Sequence, residues 1–216
     1  MKVLALDSAT SACSAALWQD GIVVAQRFMQ MERGQSEVLV PMVAEVMAEA
    51  GASFAELDLL AVTVGPGAFT GIRIGLATAR ALALAAAKPL AGIATPEAVA
   101  AAIPPAERAG RSVLVVLDSR RDEVWVQAFD TDLAPLGDPA ALLPLEAAKL
   151  LAGPVVAAGD AASLVVPLMR DGVLATSLGA PHAAQVAMLA ARRWAEGTAL
   201  PPEPLYLRPA DVTMPK

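Results

Sequence analysis

Hydrophobic residues in this chain fall into short solid runs closed by polar or glycine-containing punctuation, with helical spacing between the runs. "VLALDS" (3–8), "SAALWQDGIVVAQRF" (14–28), "LDLLAVTV" (57–64) and "KPLAGIAT" (88–95) read as strands. One helix is expected to start at a Ser36 cap and run towards Ala50 with Gly51 as its stop; Pro41 belongs in its first turn or kinks it. A second helix is expected over about 69 to 87. Beyond "PPAERAGR" (104–111) come a hairpin, a helix over "PLEAAKLLAG" (144–153), and the strand "VVAA" (155–158) closed by Gly159 and Asp160. A last helix has Pro181 in its first turn and Gly197 as its stop, and the tail "LPPEPLYLRPADVTMPK" (200–216) is too rich in proline for regular structure. Strands that alternate with helices but are opened by hairpins predict an α/β chain of two mixed-sheet lobes. The divisions are 1–104, 105–180, and a C-terminal helix and tail over 181–216.

The two lobes begin alike. "VLALDS" (3–8) returns as "LVVLDS" (114–119), an apolar strand ending in Asp-Ser, and each copy is followed by a polar stretch and a second strand. Six residues alone are weak evidence. The return of the whole hairpin plan, with helices after both copies, points to an internal duplication.

Composition narrows the class. The chain has 216 residues, of which 56% are hydrophobic, 4% aromatic and 18% charged, with mean hydropathy +0.54. No window is expected to resemble a membrane span, because the most apolar region, 72–102, is interrupted by Arg73, Arg80, Lys88 and Glu97. Asp7 breaks up the N-terminal apolar run, so no signal peptide is expected, and the single Cys13 permits no internal disulfide. A cytoplasmic globular protein is the expectation. A net charge of −6, without a basic run or an aromatic platform, makes a poor direct nucleic-acid binder.

The segment "VGPGAFTGIRIG" (64–75) joins a strand to a helix, the usual setting of a phosphate cradle. A P-loop would need a lysine after its last glycine, and here the sixth residue from Gly65 is Thr70 with no lysine nearby. A dinucleotide turn would need a third glycine at that same Thr70 and an acid about twenty residues on, where the chain reads "ALAAAKPL". Both readings fail. "GPG" instead makes a tight turn, Thr70 is a candidate cap, and the N–H groups at the helix start are left able to meet an anion. Gly71, Gly75, Ala79 and Ala83 recur every four residues as a ridge almost without side chains. Spacing leaves open whether that ridge meets a partner helix or packs inside its own lobe.

The chemistry is sparse. His182 is the only histidine and has no cysteine or histidine near it in sequence, which excludes a histidine-ligated zinc hydrolase. Ser8, Ser11 and Ser14 cluster after the first strand without a His-Asp pair and read as turn residues. Asp7 and Asp118 each end the first strand of a lobe. They either hold Mg²⁺ and a phosphate between the lobes, with Ser8 and Thr10, or cap turns.

At these residues the sequence resembles a known family. "LALDSATSACSAAL", "QSEVLVPMV", "VTVGPGAFTGIRIGLATARALA", "VLDSRRDEVWVQAF" and "PLYLRPADV", in this order, are similar to the bacterial TsaB family, also called YeaZ. The resemblance implies an actin-like (ASKHA) fold of two RNase H-like lobes. It also implies a noncatalytic partner in threonylcarbamoylation of the adenosine next to the anticodon in tRNAs reading ANN codons. The implied partners are the catalytic paralogue TsaD, as a heterodimer, and the ATPase TsaE, with a homodimer in isolation and tRNA reached only through the complex. ATP or ADP with Mg²⁺ would act at that complex, with no cofactor required by this chain and no catalytic or metal-ligating residue in it. TsaD carries a histidine pair on its first helix, absent around Gln35 to Leu39, and Gln35 stands where many TsaB members have a histidine. By the same resemblance the two helices of the first lobe form the dimer surface. Ser36, Leu39, Val43, Val46 and Met47 are expected there from the first helix, and Thr70, Gly71, Ile74, Gly75, Thr78 and Leu82 from the second, with Arg73 and Arg80 at the rim. The competing reading is an actin-like ATPase or kinase with Mg-ATP between the lobes. A metalloprotease lacks its ligands.

Overall fold

Each apolar run that ends in Asp-Ser becomes the central strand of a five-stranded sheet. The computed structural model describes residues 1–177 and 179–207. The first sheet contains β1 (Lys2–Asp7), β2 (Ala12–Gln19), β3 (Ile22–Gln30), β4 (Leu59–Gly65) and β5 (Leu90–Ala94), in the order β3-β2-β1-β4-β5. The second contains β6 (Ser112–Asp118), β7 (Val124–Phe129), β8 (Ala140–Leu142), β9 (Val155–Ala158) and β10 (Gly172–Leu174), in the order β10-β9-β6-β7-β8. Read from the same side, the two orders are the same. β1 and β6 each pair antiparallel with the next strand and parallel with the fourth of their lobe. The duplication read in the sequence is therefore a duplication of topology.

β1 is apolar without alternation because helices cover both its faces. Leu4 and Leu6 enter one core, with residues of α1 (Gln35–Glu49) and α2 (Phe69–Ala86), while Val3 and Ala5 enter another, with α7 (Ala183–Glu196). In the second lobe Leu114 and Val116 face α5 (Pro144–Ala147) and α6 (Ala162–Val165), and Val113, Val115 and Leu117 face the opposite way. α3 (Thr95–Ala101) is shared between the lobes, giving Ala98 to the first and Val99 and Ala100 to the second. The one-turn α4 (Pro105–Arg108) marks the crossover. The chain then returns, since α7 packs on the first sheet with Ala187 and Ala190 buried there, and the described part of the 181–216 segment belongs to the first lobe.

Local expectations were corrected at several ends. Ser36 does not cap α1. Gly34 holds the N-cap in the left-handed region, and its carbonyl accepts from Glu37 and Val38. Pro41 lies inside α1 on the exposed side. Thr70 does not cap α2 either; Ala68 is the N-cap, and its N–H is drawn to the Ala9 carbonyl at 2.7 Å. Pro181 lies outside α7, whose N-cap is His182, and Gly51 and Gly197 do follow their helices with positive φ. The helix expected over 144–153 closes after one turn, as bonds from Lys149 to Glu146 and Leu150 to Ala147 tighten it to three-residue spacing before β9. The expectation of no span-like window also narrows. α2 is long and apolar enough to cross a bilayer, with 18 residues and mean hydropathy 1.3, but here one face lies in the core and Arg73 and Arg80 mark the other.

The ridge of small residues on α2 faces inward. A Cβ on Gly71 would stand 2.1 Å from the Ser8 carbonyl oxygen, and one on Gly75 would stand 2.9 Å from the Ser8 hydroxyl. Ala79 and Ala83 are buried along the same line. Gly71→Ala is expected to cost about 3 kcal/mol in chemical denaturation, because rigid backbone must give way. Gly137→Ala, with open space around its added methyl, is expected to stay within about 0.5 kcal/mol of the parent.

Candidate functional site

β1 runs into a turn, Asp7-Ser8-Ala9, and three elements close over it. Asp7 Oδ1 accepts from the Thr63 hydroxyl on β4 at 2.6 Å and from the Ala9 N–H at 3.1 Å. The Ser8 hydroxyl donates to the Gly71 carbonyl in the first turns of α2 at 2.9 Å. Gly65 leaves β4 at φ 109 through a cis bond to Pro66, and Gly67 lies against Ala9 so closely that a Cβ would meet its carbonyl at 2.3 Å. The glycine loop is thus shaped by backbone contact with the β1 turn.

Asp7 is sealed by this arrangement, with no exposed surface and, among the described residues, no partner for Oδ2. Burial pushes its carboxyl up to about 7, against the lowering effect of the Thr63 and Ala9 bonds. Burial, and then the nearby Asp7 charge, push the Cys13 thiol up to about 12, which keeps it an unreactive core side chain. Ser14 spans β2 and α7, accepting from the Ala183 N–H at 2.9 Å and donating to the Pro181 carbonyl at 3.5 Å. Ser8 and Ser14 are therefore pins between distant segments. His182 is stacked on Phe28 with ring centroids 4.3 Å apart, and burial holds its imidazole below the usual range.

The second lobe repeats the turn and leaves it open. Asp118 Oδ1 accepts from the N–H two residues on, at Arg120, as Asp7 does from Ala9. Gly159 leaves β9 at φ 112, matching Gly65 after β4. Asp160 Oδ1 accepts from the Asp118 N–H at 2.8 Å, and burial raises its carboxyl above the ordinary range. Arg120 pairs with Asp118 at 3.4 Å and donates across the lobes to the Ser11 hydroxyl at 3.0 Å. Beside this bridge lies a cleft of about 620 Å³, lined by Pro66, Phe69, Thr70, Arg120, Trp125 and Tyr206 among others.

Four residues were candidates for a weak nucleotide or magnesium site. Asp7 and Ser8 are fully buried under α2, Thr10 is nearly so, and only Asp118 is substantially exposed, where Arg120 holds it. Octahedral magnesium takes several oxygens at one point. Asp7 and Asp118 do not supply them together, because α2 and its loop enclose the first and the second sits in the other lobe. The residues present do not fit the ion at that position.

The interface candidates divide by burial. Leu39, Val43, Val46, Met47, Gly71 and Gly75 are consumed by the core under α1 and α2 and leave the surface set. Ser36, Thr70, Arg73 and Arg80 are exposed, and Ile74, Thr78 and Leu82 are partly exposed. Arg27 on β3 pairs with Glu45 and Glu49, marking the β3 side of α1. The outer layer of the pair carries Val40 at 52% exposure and Leu84 at 84%, with Ala44, Ala77, Ala81 and Ala85 also exposed. Gln35 is buried and donates to the Met31 carbonyl at 3.4 Å, holding the chain before α1. Arg73 and Arg80, expected at the rim, are exposed and bond the C-terminal segment. Arg73 lies over the Phe69 ring and donates to the Tyr206 hydroxyl at 2.9 Å, and Arg80 donates to the Pro202 carbonyl. Sequence reasoning missed Thr63, Phe69, Arg120 and Tyr206. Only Thr63, a polar residue inside an apolar strand, carried a local signal.

Two sheets of one topology, each opened by an Asp turn, define an actin-like (ASKHA) protein of two lobes. A structure of the 2-hydroxyisocaproyl-CoA dehydratase activator from Clostridium difficile shares this fold, with TM-score 0.53 over 91% of this chain and 97% of that one, at 12% identity. The chain belongs to the TsaB (YeaZ) family. YeaZ from Pseudomonas aeruginosa is 29% identical with TM-score 0.81, covering 95% of this chain and 99% of that one. An uncharacterised protein of Mycobacterium tuberculosis is 32% identical over 97% of this chain and 93% of its own length. The Escherichia coli tRNA threonylcarbamoyladenosine biosynthesis protein TsaB is 39% identical over 132 residues, 61% of this chain. That match spans only 56% of the Escherichia coli protein. The model of the family described as TsaD, tRNA N6-adenosine threonylcarbamoyltransferase, matches residues 29–152.

The buried carboxyl gives a pH test. Asp7 has its folded pKa raised to about 7 from 3.8, so between those values the folded chain keeps a proton that the unfolded chain releases. Its contribution to stability therefore declines as pH rises from 4 to 7 and levels off above. Between pH 5 and 7 the decline is expected to be about 2 kcal/mol. Asp7→Asn is expected to remove that part of the slope in denaturation curves taken across this window.

Proposed function

We propose that this chain is a noncatalytic partner subunit in tRNA threonylcarbamoyladenosine biosynthesis, binding and stabilising a TsaD-type threonylcarbamoyltransferase. The observation that carries the reading is the outer layer of α1 and α2, uncharged and apolar around Val40, Ala44, Ala77, Ala81 and Leu84. Small side chains there let another helix approach closely, and Glu37 stands exposed in the first turn of α1. The names of the Escherichia coli and Haemophilus influenzae relatives support the pathway. The sealing of Asp7 and the stacking of His182 favour a binding role over chemistry on this chain.

In this reading the face pairs with TsaD in the working complex and with a second copy of this chain in isolation. TsaE joins the heterodimer, and tRNA is reached through TsaD. ATP or ADP with Mg²⁺ belongs to the assembled complex, and the assembly works in the cytoplasm.

Co-purification with the threonylcarbamoyltransferase of the same organism tests this directly. Val40→Glu and Ala81→Glu are each expected to abolish co-elution while leaving the thermal midpoint within about 3 °C of the parent. Absence of any complex with the parent chain, together with full tRNA modification in cells lacking it, would remove the proposal.

A further inference from the structure

After Gly197 the chain crosses the first lobe as an irregular strap, 198–207, with prolines at 201, 202 and 204. It runs along the free edge of β5 at Gly92 and past the carboxyl end of β4 at Val64. It is held as a bound peptide is held. The Gly92 N–H on β5 donates to the Leu200 carbonyl at 2.8 Å, and the Leu205 N–H donates to the Val64 carbonyl on β4 at 2.7 Å. The Arg80 guanidinium grips the Pro202 carbonyl through two nitrogens, at 3.1 and 2.5 Å. Tyr206 stacks on Phe69 with centroids 5.6 Å apart and accepts from Arg73.

The floor of this groove is cut to fit. A Cβ on Gly65 would stand 2.8 Å from the Leu205 carbonyl oxygen, and one on Gly92 would stand 2.6 Å from that of Pro201. Yet no residue from 199 to 207 is fully buried, and Tyr206 is 40% exposed. Main-chain bonds, one aromatic anchor and a proline-stiffened ligand are the parts of a peptide-recognition site. Only Leu200 and Leu205 pack against the core under α1 and α2, and partial exposure of every member is the property of segments that open locally.

We infer that the groove formed by Gly65, Gly92, Phe69, Arg73 and Arg80 is a separable peptide-binding site, occupied in cis by the chain's own segment 199–207 as a releasable latch. Its release frees Phe69, Arg73 and Arg80 on α2 from their contacts with the strap without disturbing either sheet. The inference stands on the contacts of the strap and does not depend on the partner reading.

The test weakens the latch while sparing the groove. In full-length Leu205→Pro/Tyr206→Ala the segment loses its N–H bond to Val64 and its aromatic anchor. Hydrogen exchange at the Gly92 amide is expected to accelerate at least about tenfold while amides in β1 keep their protection. A fluorescent peptide with the parent sequence ALPPEPLYL should bind this variant and be displaced by the unlabelled peptide, but not by one carrying the same two substitutions. The intact chain, its groove filled, should bind the labelled peptide at least about tenfold more weakly. A folded variant that binds no peptide overturns the inference, as does equal binding by variant and parent. Should the variant not fold, exchange in the parent decides. Gly92 opening below the global unfolding cost supports a latch, and opening only with β1 shows the strap to be fixed core.

Discussion

The first lobe depends on how closely the start of α2 approaches the turn after β1. Backbone is the surface there: the Ala68 N–H donates to the Ala9 carbonyl, the Ser8 hydroxyl donates to the Gly71 carbonyl, and Gly67 and Gly71 leave no room for a methyl group. Interiors are packed densely enough that one added carbon at such a point displaces an element. This contact seals Asp7 from water and turns the small-residue ridge inward. It also fixes which residues of α2 are left outside: the apolar stripe around Ala77, Ala81 and Leu84, and the Phe69, Arg73 and Arg80 edge that takes the strap.

The second lobe shows what the same turn does without that helix. Asp118 repeats the bond of Asp7 to the second following N–H, and Gly159 repeats the positive φ of Gly65. The element after Gly159 is the four-residue α6, too short to cover the turn as the 18-residue α2 does. Asp118 thus stays exposed and becomes half of an ion pair whose arginine reaches across to Ser11. One inherited turn became a core element in one lobe and a link between lobes in the other. Asp7 is enclosed and Asp118 is held by Arg120, so the same carboxylate has a different neighbour in each lobe.

Much of the architecture was legible in the sequence. The two "LDS" strands were visible because strands covered on both faces must be solidly apolar, and the hairpins after them followed from their polar breaks. Helix ends were less legible. Ser36 and Thr70 are good caps by type, but tertiary contacts chose Gly34 and Ala68, whose backbones had other partners to meet. The candidate partner face was readable, through the family resemblance, only as a pair of helices. Leu39, Val43, Val46 and Met47 and the exposed Val40 share one helix and similar side chains, so nothing local told core from surface.

The sequence by itself determined most of the apolar strands, the duplication, the family and the scarcity of histidine and cysteine, though not β8 or β10, and not the break at Asp20-Gly21 that divides 14–28 into β2 and β3. These follow from composition and from short-range pattern, which every residue carries wherever it lies in space. The tertiary structure decided that the glycines of "VGPGAFTGIRIG" serve the chain's own β1 turn, that Asp7 is enclosed while Asp118 is not, and that the strap 198–207 returns to clasp α2. Each of those outcomes rests on contacts between residues far apart in the chain. Such a contact depends on which backbone fits within about 3 Å of which other, and that distance is set only when both lobes have packed.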